Sequence, residues 1–115
     1  PLGPAVRHGD NAWADLTRWV LYALIEAEEY GLTSENIKTM QKSQNPVVRR
    51  WLGLEGDMGT KIGLDKKWAE RVISQVGNYG EMFERNLGKK TPLGIDRGMN
   101  NLWNKGGLQY AMPAR

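Results

Sequence analysis

Seven consecutive residues, Trp19-Val20-Leu21-Tyr22-Ala23-Leu24-Ile25, are apolar. They sit within Asn11–Tyr30, where Trp13, Leu16, Val20, Ala23, Leu24 and Ala27 recur at spacings of three and four and so share one face of a helix. At the seven-residue run every face of that helix is apolar, and a helix apolar all round needs neighbours all round. The run is far short of the roughly 20 residues that span a bilayer. Short amphipathic helices from the rest of a 115-residue chain cover one side easily; covering both is harder. The expectation is a rod that packs against a larger body, or against a second copy of the chain.

Local signals divide the rest of the chain. Asp10, after Gly9, is placed to accept from the free N–H groups of the first helical turn. Glu26, Glu28 and Glu29 sit late in the helix, against its dipole, and Gly31 suits a left-handed stop. Ser34 is a candidate cap for a short helix to about Lys42, with Ile37 and Met40 inside. Asn45-Pro46 is a strong start signal, a capping residue followed by Pro at the first helical position, with Val47, Val48, Trp51 and Leu52 forming an apolar patch before Gly53. The glycine-rich stretch 53–65 reads as loop with one helical turn. Asp65 is expected to cap a helix from Lys66 to about Val76, with Trp68, Val72, Ile73 and Val76 inward. After the Gly77-Asn78 break, helix resumes at Tyr79, with Met82, Phe83 and Leu87 inward, and ends at Gly88. One short helix is expected around Met99–Trp103, with an irregular tail after it. The fold class is all-α, with five or six short helices and room for one short strand over Leu2–Arg7. Pro1 and Pro4 keep that segment out of the middle of a sheet. Residues 1–10 form a strand or crossover segment and residues 11–115 one helical unit.

Composition narrows the chemistry. Five Trp and four Tyr argue against a solvated tail. There is no Cys and a single His, which excludes disulfides, thiolate zinc sites, cysteine nucleophiles and any site built on two His ligands. The net charge of +3 is uneven: two basic against five acidic residues over 1–31 give −3, and the remaining 14 basic and 8 acidic residues give +6. Such asymmetry can guide docking, and it is equally the signature of a solvated face.

Five constellations are candidates for chemistry. His8 with Asp10 is the one His–carboxylate neighbour pair, but no nucleophile accompanies it, and capping by Asp10 is the simpler role. Glu26 with Glu29, and Glu81 with Glu84, are acids three apart on a helix. Paired carboxyls of a glycosidase stand roughly 5–9.5 Å apart, and helical neighbours fall near that range by chance, so solvated helix surface is the favoured reading. Gly59-Thr60-Lys61 and Gly63-Leu64-Asp65-Lys66 lack the spacing of a phosphate-binding loop. Arg49-Arg50-Trp51, Lys66-Lys67-Trp68 and Lys89-Lys90 resemble a phosphate-and-stacking surface, yet Trp51 and Trp68 fall on apolar helix stripes, where they belong to a core. No catalytic, ligand-binding or metal-binding residue, no cofactor and no nucleic-acid partner is assigned, and an enzyme is not expected.

Several stretches are nevertheless distinctive. The first is Pro1-Leu2-Gly3-Pro4-Ala5-Val6-Arg7-His8-Gly9-Asp10-Asn11, leading to Trp13 and Trp19-Val20-Leu21-Tyr22-Ala23. The second is Asn45-Pro46-Val47-Val48-Arg49-Arg50, with Leu52-Gly53 and Glu55-Gly56-Asp57. The third is Gln75-Val76-Gly77-Asn78-Tyr79-Gly80-Glu81-Met82-Phe83-Glu84-Arg85-Asn86. With the close from Gly94-Ile95 through Leu102-Trp103 to Gly106-Gly107-Leu108, they make the whole chain resemble the C-terminal part of periplasmic solute-binding proteins of polar amino-acid ABC transporters, most closely the general L-amino-acid-binding type.

The resemblance implies a fragment of a longer, two-lobed α/β protein that closes on a free amino acid and then docks on a membrane permease. In that family the chain crosses between lobes near the passage that opens this sequence, and the remaining segment packs on lobe one. A start at Pro1, without Met or a signal peptide, fits a chain cut from something longer. The family's carboxylate-clamping Arg and amine-binding acid belong to upstream segments that match nothing here. Arg7 is the basic group nearest the hinge passage, and nothing in its setting demands a ligand. The expectation is therefore a structural part of lobe one, located in the periplasm. Its partners are the rest of the parent and, through the parent, the ABC permease. An L-amino acid binds only in the full-length protein, and homo-oligomerisation or a domain swap is open to the isolated piece. The rival expectation is a free-standing helical module that binds nucleic acid or a protein partner.

Overall fold

The computed structural model describes residues 3–114. Asp10 does cap the first helix, α1 (Asn11–Glu29), its Oδ1 accepting from the Trp13 N–H at 3.1 Å. The helix stops at Gly31, whose φ of +73° is open to glycine at little cost. Asn45 caps α2 (Pro46–Trp51) through the Val47 N–H at 2.9 Å, with Pro46 in the first turn. Next come one turn of α3 (Met58–Lys61), α4 (Trp68–Val76) and α5 (Tyr79–Leu87). Three 3-10 turns, Thr39–Lys42, Gly98–Asn100 and Trp103–Lys105, complete the set among the described residues.

Several expectations are corrected. No strand forms among the described residues; Gly3–Arg7 has no ladder partner, and Leu2 lies outside the described part. Leu102 and Gln109 make one isolated parallel bridge. Thr33, not Ser34, organises the turn toward Lys42: the Thr33 N–H donates to Asn36 Oδ1 and the Asn36 N–H to Thr33 Oγ1. Continuous helix does not form there; the segment is a set of turns ending in 3-10 geometry. Helix α4 starts two residues later than expected, because Asp65 spends its carboxylate on a local turn to the Lys67 N–H at 2.8 Å and on Arg71. Val76 and Leu87, expected inward, are 36% and 37% exposed; each is the last residue of its helix. The helix expected around Met99–Trp103 is split by the Leu102 bridge into two 3-10 turns.

The core wraps α1. Ala23 packs with Trp51, Trp68, Ala69 and Ala114, flanked by Trp19 and Val20. One turn on, Ala27 meets Leu32, Ile37, Val48, Leu52 and Ile73. Ile25 points the other way and is covered by Leu102 and Ala111 of the tail. Helices α4 and α5 are the long partners of α1. Over Ala23–Ile25 the apolar rod is thus covered on two sides by its own chain, contrary to the expectation that one side would need a larger body. Burying Ile25, 3% exposed, contributes roughly 1.5–3 kcal/mol. The N-terminal half is different: Leu21 and Tyr22 are half-buried, and Trp13, expected on the inner face, is 54% exposed.

Candidate functional site

The last turn of α1 holds three acids, Glu26, Glu28 and Glu29, and no basic residue, a placement the helix dipole disfavours. Each acid is matched by a donor distant in sequence. Glu26, 3% exposed, accepts through Oε2 from Trp51 Nε1 of α2 at 3.1 Å. Glu28 accepts from Arg97 Nη2 at 2.7 and 3.1 Å. Glu29 accepts through Oε1 from Trp103 Nε1 at 3.2 Å. The end of α1 is therefore a three-way brace, tying α2 and both halves of the tail to one helix. Burial pushes the Glu26 carboxyl above its ordinary value; the Trp51 N–H opposes this, and the nearby Glu29 adds to it.

Arg97 is the most connected cation of the brace. Its side chain is 16% exposed and that of Glu28 is 11% exposed. The guanidinium lies 5.6 Å from the Tyr79 ring centroid and 5.4 Å from that of Phe83, and Nη2 also donates to the Asn100 carbonyl at 3.0 Å. A planar, permanently charged group suits this setting, because it can stack and fork at once. Beside it, Asn78 and Glu81 form a reciprocal cap on α5: the Glu81 N–H donates to Asn78 Oδ1 at 2.9 Å and the Asn78 N–H to Glu81 Oε2 at 2.7 Å. Asn78 Nδ2 also donates to the Leu32 carbonyl at 2.8 Å, and the Ser34 hydroxyl donates to Glu81 at 2.6 Å. The loop after α1 is thus bound to the start of α5.

The structure separates the candidate constellations. His8 is exposed, and Asp10 is occupied in capping. Glu26 and Glu29 are not the solvated pair expected, since Glu26 is buried and both accept from indoles. Glu81 is held in its capping box, while Glu84 is exposed. Trp51 and Trp68 are 2% and 5% exposed, so neither offers a face to a base. Arg49 pairs with Glu55 at 2.8 Å, Lys67 donates to the Leu52 carbonyl at 3.2 Å, and Lys89 pairs with Asp96 at 3.0 Å. Arg7 is exposed. Among the described residues no group of three His, Asp or Glu side chains is placed to hold a metal.

A cleft of about 290 Å³ lies between the opening segment and the first half of α1, with Pro4, Val6, Leu21 and Tyr22 on its walls. Arg18 at its edge is paired with Asp15 at 3.2 Å, and both are exposed. An amino-acid site needs a sheltered cation for the carboxylate and an acid for the amine. This cleft is lined by no acid, and its one cation, Arg18, is exposed and already paired. The brace is invisible to sequence spacing because its partners lie 25, 69 and 74 residues away. One local signal exists: Glu26 is three residues after Ala23 and four after Tyr22, inside the apolar arc.

No family model matches the chain. Over its whole length it is 59% identical to the glutamate/glutamine/aspartate/asparagine-binding protein BztA of Rhodobacter capsulatus, of which it covers 34%. It is 57% identical to the general L-amino acid-binding periplasmic protein AapJ of Rhizobium johnstonii, again covering 34% of that protein. A solved ABC transporter/periplasmic binding protein from Brucella ovis, with glutathione bound, matches at a TM-score of 0.91 and 56% identity, over 96% of this chain and 35% of that one. Over its whole length the chain is similar to one part of the binding proteins of amino-acid ABC transporters. It spans about a third of the length of the curated relatives it matches. The all-helical architecture is accordingly a partial view of a periplasmic-binding-protein fold. All three relatives are named as binding proteins, and the solved structure also as an ABC transporter protein. The free-standing module is not favoured: the entire chain aligns within proteins about three times as long.

Proposed function

We propose that this chain is the helical, C-terminal third of a periplasmic receptor that captures L-amino acids and delivers them to an ABC permease. Within it, residues 1–10 are the passage between lobes and residues 11–115 one helical unit that completes lobe one. Its own contribution is structural. It performs no catalysis, and binding belongs to the full-length protein, in which the clamp for the amino acid's two charged ends comes from the other segments. The permease is met only through that whole protein.

The observation that carries this reading is an overall identity of 57–59% to two amino-acid-binding proteins, in alignments that span the whole chain. The internal chemistry is consistent with it, because the charged groups of the brace are spent within the chain: Glu28 on Arg97, and Glu26 and Glu29 on the indole N–H groups of Trp51 and Trp103. Titration calorimetry of the full-length protein with a panel of L-amino acids tests the reading. Saturable heat at one ligand per protein supports it; no heat with any L-amino acid overturns it.

A further inference from the structure

The tail carries an unusual alternation. From Leu108 to Met112, burial switches with every residue: Leu108, Tyr110 and Met112 are 69%, 59% and 56% exposed, Gln109 is half-buried and Ala111 is 1% exposed. A period of two is that of a strand-like segment with opposite faces. The inner face is accounted for: Ala111 packs on Ile25, and Gln109 Nε2 donates to the Tyr79 hydroxyl at 3.4 Å. The outer face should be polar if it met only water. It is instead three large apolar side chains.

Neighbouring groups hold this outer face in place. The Gln109 N–H donates to the Asn101 carbonyl at 3.0 Å, the Trp103 N–H donates to the Gln109 carbonyl at 3.0 Å, and the Leu108 N–H donates to the Met99 carbonyl at 2.9 Å. Trp103, 51% exposed, meets Tyr110 edge to face at 6.1 Å, and its indole is pinned by Glu29. Rings already fixed lose little freedom on docking, which is how a recognition surface is built at low entropic cost. An exposed apolar patch rimmed by polar groups marks an interaction site.

We infer that the Trp103–Leu108–Tyr110–Met112 face is an internal docking surface, covered in the full-length protein by an apolar surface of the remaining two-thirds of the same polypeptide. The inference rests on the reading that the chain is part of a longer receptor. The length of the relatives supplies the occupant: this chain covers 34% of them, so most of such a protein has to be packed somewhere. A tethered segment also reaches the face at a high effective concentration, which a separate copy or partner does not.

Hydroxyl-radical footprinting of the full-length protein, read residue by residue by mass spectrometry, tests this. At low protein concentration and without membranes, Trp103, Tyr110 and Met112 are expected to lose most of the labelling they show in the same protein unfolded by guanidinium. Labelling that falls no further than to about the half-exposure left by this chain's own packing overturns the inference. So does protection that grows only with protein concentration, which assigns the face to a second copy, or protection that appears only with permease-containing membranes, which assigns it to the transporter. Tyr110→Glu in the full-length protein is expected to lower the melting temperature, and an unchanged melting temperature counts against a covered face. Calorimetry separates the two ideas: a protein that binds L-amino acids yet labels fully at these residues refutes the docking face alone, and one that shows protection but binds no amino acid refutes the receptor reading alone.

Discussion

The indole N–H of Trp51 donates to a carboxylate oxygen of Glu26 across 3.1 Å, with both residues withdrawn from water. A buried acid held by a neutral donor is incompletely compensated, and burial accordingly lifts its pKa. The folded state then retains a proton that the unfolded state releases. That contribution is complete below the unfolded pKa and is lost as pH rises through the higher folded value. Glu26→Gln, which keeps an acceptor without charge, is expected to remove this slope and to match or exceed the parent in stability at neutral pH. Glu26→Ala is expected to cost about 1–3 kcal/mol by orphaning the indole N–H. Urea unfolding of all three proteins at mildly acidic and neutral pH checks both statements.

Arg97 and Glu28 form the most sheltered ion pair among the described residues, and removing either partner strands the other. Arg97→Ala is expected to destabilise by roughly 3 kcal/mol. Arg97→Lys should recover part of that loss, because the charge returns while stacking over Tyr79 and Phe83 is weakened. Gly80 adds a steric test. A Cβ there would press on the Glu28 carboxylate and come within 2.9 Å of Arg97 Nη1, so Gly80→Ala should loosen this same pair. A double-mutant cycle of Gly80→Ala with Arg97→Ala, read by thermal melts, should then show costs well short of additive.

Asn78 serves two elements with one side chain. Asn78→Ala removes the cap of α5 and leaves the Leu32 carbonyl without its donor, for an expected loss of about 2 kcal/mol. Asn78→Asp keeps the capping acceptor but loses the donor and places a second negative charge beside Glu81. It should therefore fall between the two. Chemical denaturation of the three proteins at neutral pH provides the check.

What is legible in the sequence is local. Asp10 and Asn45-Pro46 act within three residues of themselves, and the starts of α1 and α2 follow from them. Gly77-Asn78 reads as a break, yet Asn78 with Glu81 three residues later also carries the capping-box pattern that starts α5. Glu26 looks solvated in sequence because its partner is an indole on another helix, and no helix-spacing rule brings Trp51 to it. The tail looks irregular, and it is, but its regularity of burial depends on the Ile25 side of α1, where a larger body was expected. Ala111 and Leu102 fill that place. Leu21 and Tyr22, one turn earlier, remain half-buried, so the need for further cover is legible even though its position is not.

The proposed function makes this chain a brace without an amino-acid site of its own, so it should be silent toward free ligand. Titration calorimetry of the 115-residue chain alone, with a panel of L-amino acids, tests this most directly. Heats indistinguishable from dilution are predicted for every one of them. A saturable isotherm for any of them would contradict it.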